Sequence, residues 1–142
     1  LATFLEELPE TAFGIHIAVE FRHRSWFLAE IASLLRSHGV CWATTEFPRL
    51  PRQVNLTADF LYVRWIGQHG SYDRHTHERV DKTSELTWWW EQLHALVEHV
   101  PTIYGFFNND YAGFAAGTCN KFKMIAGLPV APFPAPEQDR LF

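Results

Sequence analysis

Residues 18–27, Ala-Val-Glu-Phe-Arg-His-Arg-Ser-Trp-Phe, limit what this chain can fold into more than any other stretch. They read as the end of a buried strand, a charged turn and the start of a helix. Three more passages of this kind follow, and each of their strands also ends in polar groups. Strands and helices that alternate through short turns make a parallel α/β sheet. In such folds, groups at the carboxyl ends of the strands gather in one place.

Hydrophobic spacing predicts four strands, at residues 14–21, 40–46, 60–66 and 102–107. In the first, Ile15, Ile17, Val19 and Phe21 share one face, and His16, Ala18, Glu20 and Arg22 share the other. Helices are predicted at 3–8, 26–38, 78–99 and 111–126. Ser25 is the expected cap of the second and Gly39 its expected stop. The prolines of Phe47-Pro48-Arg49-Leu50-Pro51-Arg52 make a stiff, basic loop that cannot pair regularly. Residues 1–128 form one barrel-type domain, and the proline-rich residues 129–142 an extended tail. Four strand–helix units are too few to close an eight-stranded barrel of roughly 250 residues. The chain, which starts without Met inside a helix, therefore reads as a small open sheet or the second half of a barrel, and as a fragment.

Composition narrows the function. The net charge of −4 excludes coating a phosphate backbone with the whole surface, so any nucleic-acid contact needs a local basic groove. Cys41 and Cys119 sit in apolar surroundings and read as buried free thiols, which fits a reducing cytoplasm. No signal peptide or long apolar run is visible, and no membrane partner is expected. No Gly-rich phosphate loop, Ser-His-Asp signature or CxxC motif is present.

The strand ends carry Glu20, Arg22 and His23, then Thr44 and Glu46, then Arg64, and finally Asn108, Asn109 and Asp110. A charge at a barrel mouth must be paired or must face water and ligand. One reading makes Glu20–Arg64 and Glu46–Arg22 structural ion pairs. The other makes a site: Arg22 and Arg64 hold an anionic oxygen bidentately, and Glu20, Glu46 or His23 supply acid–base or metal-ligand chemistry. Asn108, Asn109 and Asp110 would then orient the substrate. His75-Thr76-His77 offers a pair of ligands for a divalent metal but lacks a third spaced ligand. Of Trp88-Trp89-Trp90, at least one must face outward, as packing or as a contact surface.

Several of these residues together carry a resemblance. Residues 19–27, Pro48-Arg49-Leu50-Pro51, Thr57 to Trp65, and Tyr104 to Gly113 resemble, in order, the motifs of the YecE-like family, domain of unknown function 72. The resemblance implies a TIM-like barrel of which this chain is the C-terminal part. It implies as partner either the missing N-terminal half-barrel or a second copy covering the exposed strand edges. Many members have Leu-His-Gly after the strand arginine, where this chain has Trp65-Ile66-Gly67. Similarity of the family's barrel to endonuclease-four and xylose-isomerase barrels implies phosphodiester or sugar chemistry.

The last five residues add a separate reading. Gln138-Asp139-Arg140-Leu141-Phe142 is similar to the Gln-x-x-Leu-Phe peptide by which bacterial DNA-processing proteins hold the sliding clamp. Leu141 and Phe142 would fill an apolar pocket and Gln138 would add a hydrogen bond. Two functions are therefore expected: a hydrolase acting on phosphoesters, or a non-catalytic nucleotide or nucleic-acid binding module tethered by its tail.

Overall fold

The computed structural model describes residues 1–8 and 15–132. Five short strands, all paired in parallel, form the frame: β1 (Ala18–Val19), β2 (Cys41–Trp42), β3 (Thr44–Glu46), β4 (Phe60–Trp65) and β5 (Thr102–Phe107). Ala18 pairs with Cys41, Thr44 with Val63, and Phe60 with Thr102. Within each of the two sheets, β1–β2 and β3–β4–β5, strand order follows sequence order, without the reversal that marks a doubly wound sheet. Among the described residues five α-helices accompany the strands: α1 (Ala2–Glu6), α2 (Ala29–Ser37), α3 (Thr83–His94), α4 (Asn109–Ala112) and α5 (Ala115–Ile125). Among the described residues no helix is long and apolar enough to cross a membrane.

The predicted strand 40–46 is interrupted at Ala43, so that β2 serves β1 and β3 serves β4. Buried Thr57 replaces the missing ladder partner of β2. Its hydroxyl accepts from Trp42 N and donates to Val40 O, both over 2.7 Å. The predicted strand 14–21 shrinks to Ala18–Val19, because it has β2 alone as a partner. Strand β5 has the predicted bounds.

The helices correct several boundaries. Ser25 does not cap α2, whose N-cap is Leu28. Instead His23 Nδ1 accepts from Ser25 N and caps a single 3₁₀ turn, Arg24–Trp26. α3 begins only at Thr83, after Asp81 Oδ1 accepts from its amide. It stops at His94, where bonds from Leu96 N to Leu93 O and Val97 N to His94 O tighten the chain into turns. The predicted helix 111–126 is broken by Gly113, which takes φ 97° as the stop of α4.

Alternation along β4 sets the two faces. Leu61, Val63 and Trp65 are buried toward the helices, where they pack with Leu86, Trp89 and Leu93 of α3, Tyr111 and Ala112. A second apolar cluster joins Leu5, Phe21, Leu35, Val40 and Trp42. Full burial of one such aliphatic side chain is worth about 1.5–3 kcal/mol. Of the tryptophan run, Trp89 is fully buried, whereas Trp88 and Trp90 are half-buried. Cys41 and Cys119 are both free thiols, the first buried and the second half-buried.

The opposite face of the sheet is concave and open. His16 stacks on Phe60 at 4.3 Å, and Tyr62 stacks on Phe106 at 4.8 Å. Tyr104 and Phe106 remain 38% and 47% exposed there.

Candidate functional site

Glu20 follows β1 and Arg64 lies near the end of β4, both directed into the concave face. They line a cavity of about 530 Å³ with His16, Tyr62, Tyr104 and Phe106. Arg64 Nη1 donates to Glu20 Oε2 over 2.6 Å, while Arg22 Nε engages Glu20 Oε1. Both carboxylate oxygens are thus held by guanidinium groups. The predicted convergence of Glu20, Arg22 and Arg64 is present, with Arg22 joined to Glu20 rather than to Glu46.

A second hollow, of about 480 Å³, opens beside them. It is lined by Arg22, His23 and Arg24 from the turn after β1, and by Phe47, Pro48, Arg49 and Leu50 from the loop after β3. Among the described residues no carboxylate lines it. The Arg22 guanidinium lies over the Phe47 ring at 5.0 Å, a cation–π contact that fixes one wall. Arg49 takes φ 71°, and among the described residues no other non-glycine residue has positive φ. That conformation costs of order 1–3 kcal/mol and collects at functional sites.

Glu46 is not in this site, contrary to expectation. The register sets Glu46 opposite Trp65 and Thr45 opposite Arg64, so Glu46 faces the helices and Thr45 shares the face of Arg64. Glu46 Oε2 accepts from Trp89 Nε1 and, over 2.8 Å, from the Tyr111 hydroxyl; Oε1 accepts from Arg52 Nη2 over 2.6 Å. Burial, and then the Glu46 charge, push the Tyr111 phenol pKa up. The parity was legible: Trp42, Thr44 and Glu46 share a face, and Trp42 is a core residue. A third hollow, about 400 Å³, lies on this side of the 47–52 loop and is lined by Glu46, Arg49, Arg52, Lys82, Asp110 and Tyr111 among others.

The asparagines serve the backbone. Asn108 Oδ1 accepts from Asp110 N to cap α4, and Asn109 Oδ1 accepts from Ala115 N at the start of α5. Neither lines the Glu20–Arg64 cavity. Asp110 Oδ2 accepts from Gly70 N and lies 3.2 Å from His69 Nδ1, which ties down the loop after β4. That loop starts at Gly67, whose φ is 72° and where any side chain would strike the backbone of Asp110 and Tyr111. His75 and His77 are exposed, and His77 Nδ1 meets only its neighbour Thr76. Among the described residues, no three or more His, Cys, Asp or Glu side chains are grouped to hold a metal ion. Gln138, Leu141 and Phe142 lie outside the described residues. Arg24, Arg49 and Arg52 were not singled out by their strand positions. Their signal was the basic, proline-bracketed loop and the arginine-rich turn.

Comparison with known proteins agrees with this architecture. The family model described as "protein of unknown function DUF72" matches residues 1–140. A DUF72 family protein from Thermotoga maritima has a similar structure, with a TM-score of 0.71 and 29% identity, over 89% of this chain and 51% of that one. A DUF72 family protein from Enterococcus faecalis V583 is alike in fold, with a TM-score of 0.69 at 14% identity, over 94% of this chain and 56% of that one. The chain spans about half the length of these solved relatives. No curated protein matches it.

Proposed function

From the premise that the chain belongs to the DUF72 family, a family of unknown function, we propose that it supplies the binding half of a site for a phosphate-bearing ligand. One observation carries this reading. Three arginines and a histidine surround the 480 Å³ hollow without a lining carboxylate, in a chain whose net charge is −4. Such a local excess of cations attracts an anion, and planar guanidinium groups suit phosphate oxygens bidentately. Arg24 and Arg49 are the principal phosphate ligands, and Arg22 contributes from its exposed half.

Binding is favoured over hydrolysis by this chain's own groups. Glu20, the expected base, has both oxygens bonded to guanidinium groups and does not line the basic hollow. The concave sheet face fits the inner wall of a (β/α) barrel whose other strands lie beyond β1 and β5. Its support is the sequence-ordered parallel strands, the exposed Tyr104 and Phe106, and the half-length match to relatives. Parallel sheets are nearly always covered on both faces.

The test is calorimetric titration with inorganic pyrophosphate and with a short single-stranded oligonucleotide. Saturable binding that weakens at least about tenfold, or 1.4 kcal/mol, in Arg24→Ala and Arg49→Ala is expected. Oligonucleotide binding should weaken with added salt in proportion to the phosphates contacted. Tighter binding of the oligonucleotide than of pyrophosphate identifies a nucleic-acid ligand; the reverse identifies a small phosphate compound. Equal affinity in wild type and both variants refutes the reading.

A further inference from the structure

We infer that Glu46 and Arg52 form a clasp that positions Arg49 for the anion, without touching the ligand themselves. The inference rests on the phosphate reading above and adds to it two residues from the other face of the sheet.

The chain leaves β3 at Glu46, passes through Phe47, Pro48, Arg49, Leu50 and Pro51, and returns with Arg52. The Arg52 guanidinium then closes on the carboxylate of Glu46 over 2.6 Å. The loop is thus fastened back onto the residue from which it springs. Inside it, Leu50 N donates to Phe47 O over 3.2 Å, and two prolines fix their own φ. Arg49 stands at the crest, in the left-handed conformation, and lines the hollows on both flanks of the loop. A non-glycine residue holds that conformation only where its surroundings over-determine it.

The anchor of the clasp is buried and held by hydrogen bonds from two helices. The Glu46 side chain is 10% exposed, and Trp89 of α3 and Tyr111 of α4 both donate to it. Arg52 is half in water, with a side chain 45% exposed. Glu46 does not line the basic hollow, so it cannot contact an anion bound there. A buried charge is poor stability design, since an apolar residue of similar volume does as well or better. An apolar residue at this position could not bond the Arg52 guanidinium and so could not close the loop in this way.

The experiment combines hydrogen exchange of residues 47–52 with pyrophosphate titration, on wild type, Arg52→Ala, Arg52→Lys, Arg49→Ala and the double variant Arg49→Ala/Arg52→Ala. Arg52→Lys guards against misfolding, because it keeps a charge beside Glu46. Arg52→Ala should speed exchange within the loop while Trp89 and the β4 amides keep their protection. It should weaken pyrophosphate about tenfold, and Arg52→Lys should restore part of that loss. In the Arg49→Ala background, Arg52→Ala should change affinity by less than about twofold, because nothing is left to position. An equal loss in both backgrounds overturns the inference, as does a loop whose exchange is unchanged by Arg52→Ala. If wild type binds no pyrophosphate, the phosphate reading fails, while loop exchange still decides whether the clasp exists.

Discussion

Removing one oxygen from the core tests the Glu46 network directly. Tyr111 is 3% exposed, and its hydroxyl donates to Glu46 Oε2 over 2.8 Å. Tyr111→Phe keeps the ring and leaves no cavity larger than that oxygen. What disappears is one hydrogen bond to a carboxylate, worth about 1.5–3 kcal/mol. Glu46 keeps Trp89 and Arg52, so its charge is not left unpaired, and the lower end, about 1.5–2 kcal/mol, is expected. Urea unfolding followed by tryptophan fluorescence should show the midpoint falling by about 0.7–1 M, at a slope near 2 kcal/mol/M. A pH arm adds a sign. Burial and the Glu46 charge hold the folded phenol's pKa well above the ordinary value of 10.0. Above about pH 10 the unfolded chain therefore releases a proton that the folded chain keeps, and wild-type stability falls by up to about 1.4 kcal/mol per pH unit. Phenylalanine has no such proton, so the gap between the two proteins should narrow between pH 9 and 11. Equal stability at pH 7, or a gap that stays constant to pH 11, would refute the buried hydrogen bond.

Three further outcomes are expected. Gly67→Ala should cost at least about 2 kcal/mol in the same assay, because φ 72° is strained for alanine and its Cβ meets the Asp110–Tyr111 backbone. Arg64→Ala alone should cost only about 1 kcal/mol, since Arg64 is a third exposed and Glu20 keeps Arg22. Adding Arg22→Ala should then cost more than the sum of the single losses, read by a double-mutant cycle. Burial raises the Cys41 thiol from 9.0 to about 11. The thiol should accordingly lower folding stability by about 2 kcal/mol from pH 9 to 11. Cys41→Ala should lose the thiol's share of the decline while keeping the share due to Tyr111, and wild-type Cys41 should resist alkylation at pH 8.

Period and punctuation made the framework legible. Leu61, Val63 and Trp65 against Tyr62 and Arg64 state the two faces of β4 in the sequence alone, and the bounds of β5 follow from its apolar run. Glu20 and Arg64 could be paired from parity for the same reason. The helix starts were less legible, because side chains competed for them: His23 caps a separate 3₁₀ turn over Arg24–Trp26, so α2 starts only after Leu28, and Asp81 delays α3. Glu46 sits at a strand end, where a carboxylate is expected to face the mouth, but its parity with the core residue Trp42 turns it toward the helices. The conformation of Arg49 had no local signal. It depends on a salt bridge to a residue held by two helices, and pattern reading sees neither.

The unreversed strand order has a consequence for biosynthesis. Within each of the two sheets every later strand pairs with one already made, so each sheet can grow in the direction in which the ribosome emits it. β4 finds β3 waiting, and β5 finds β4. Each addition closes a single loop, whose entropic cost rises only with the logarithm of its length. Within each sheet a nascent chain of this design adds to its newest edge, and no strand need be inserted between two that have already met.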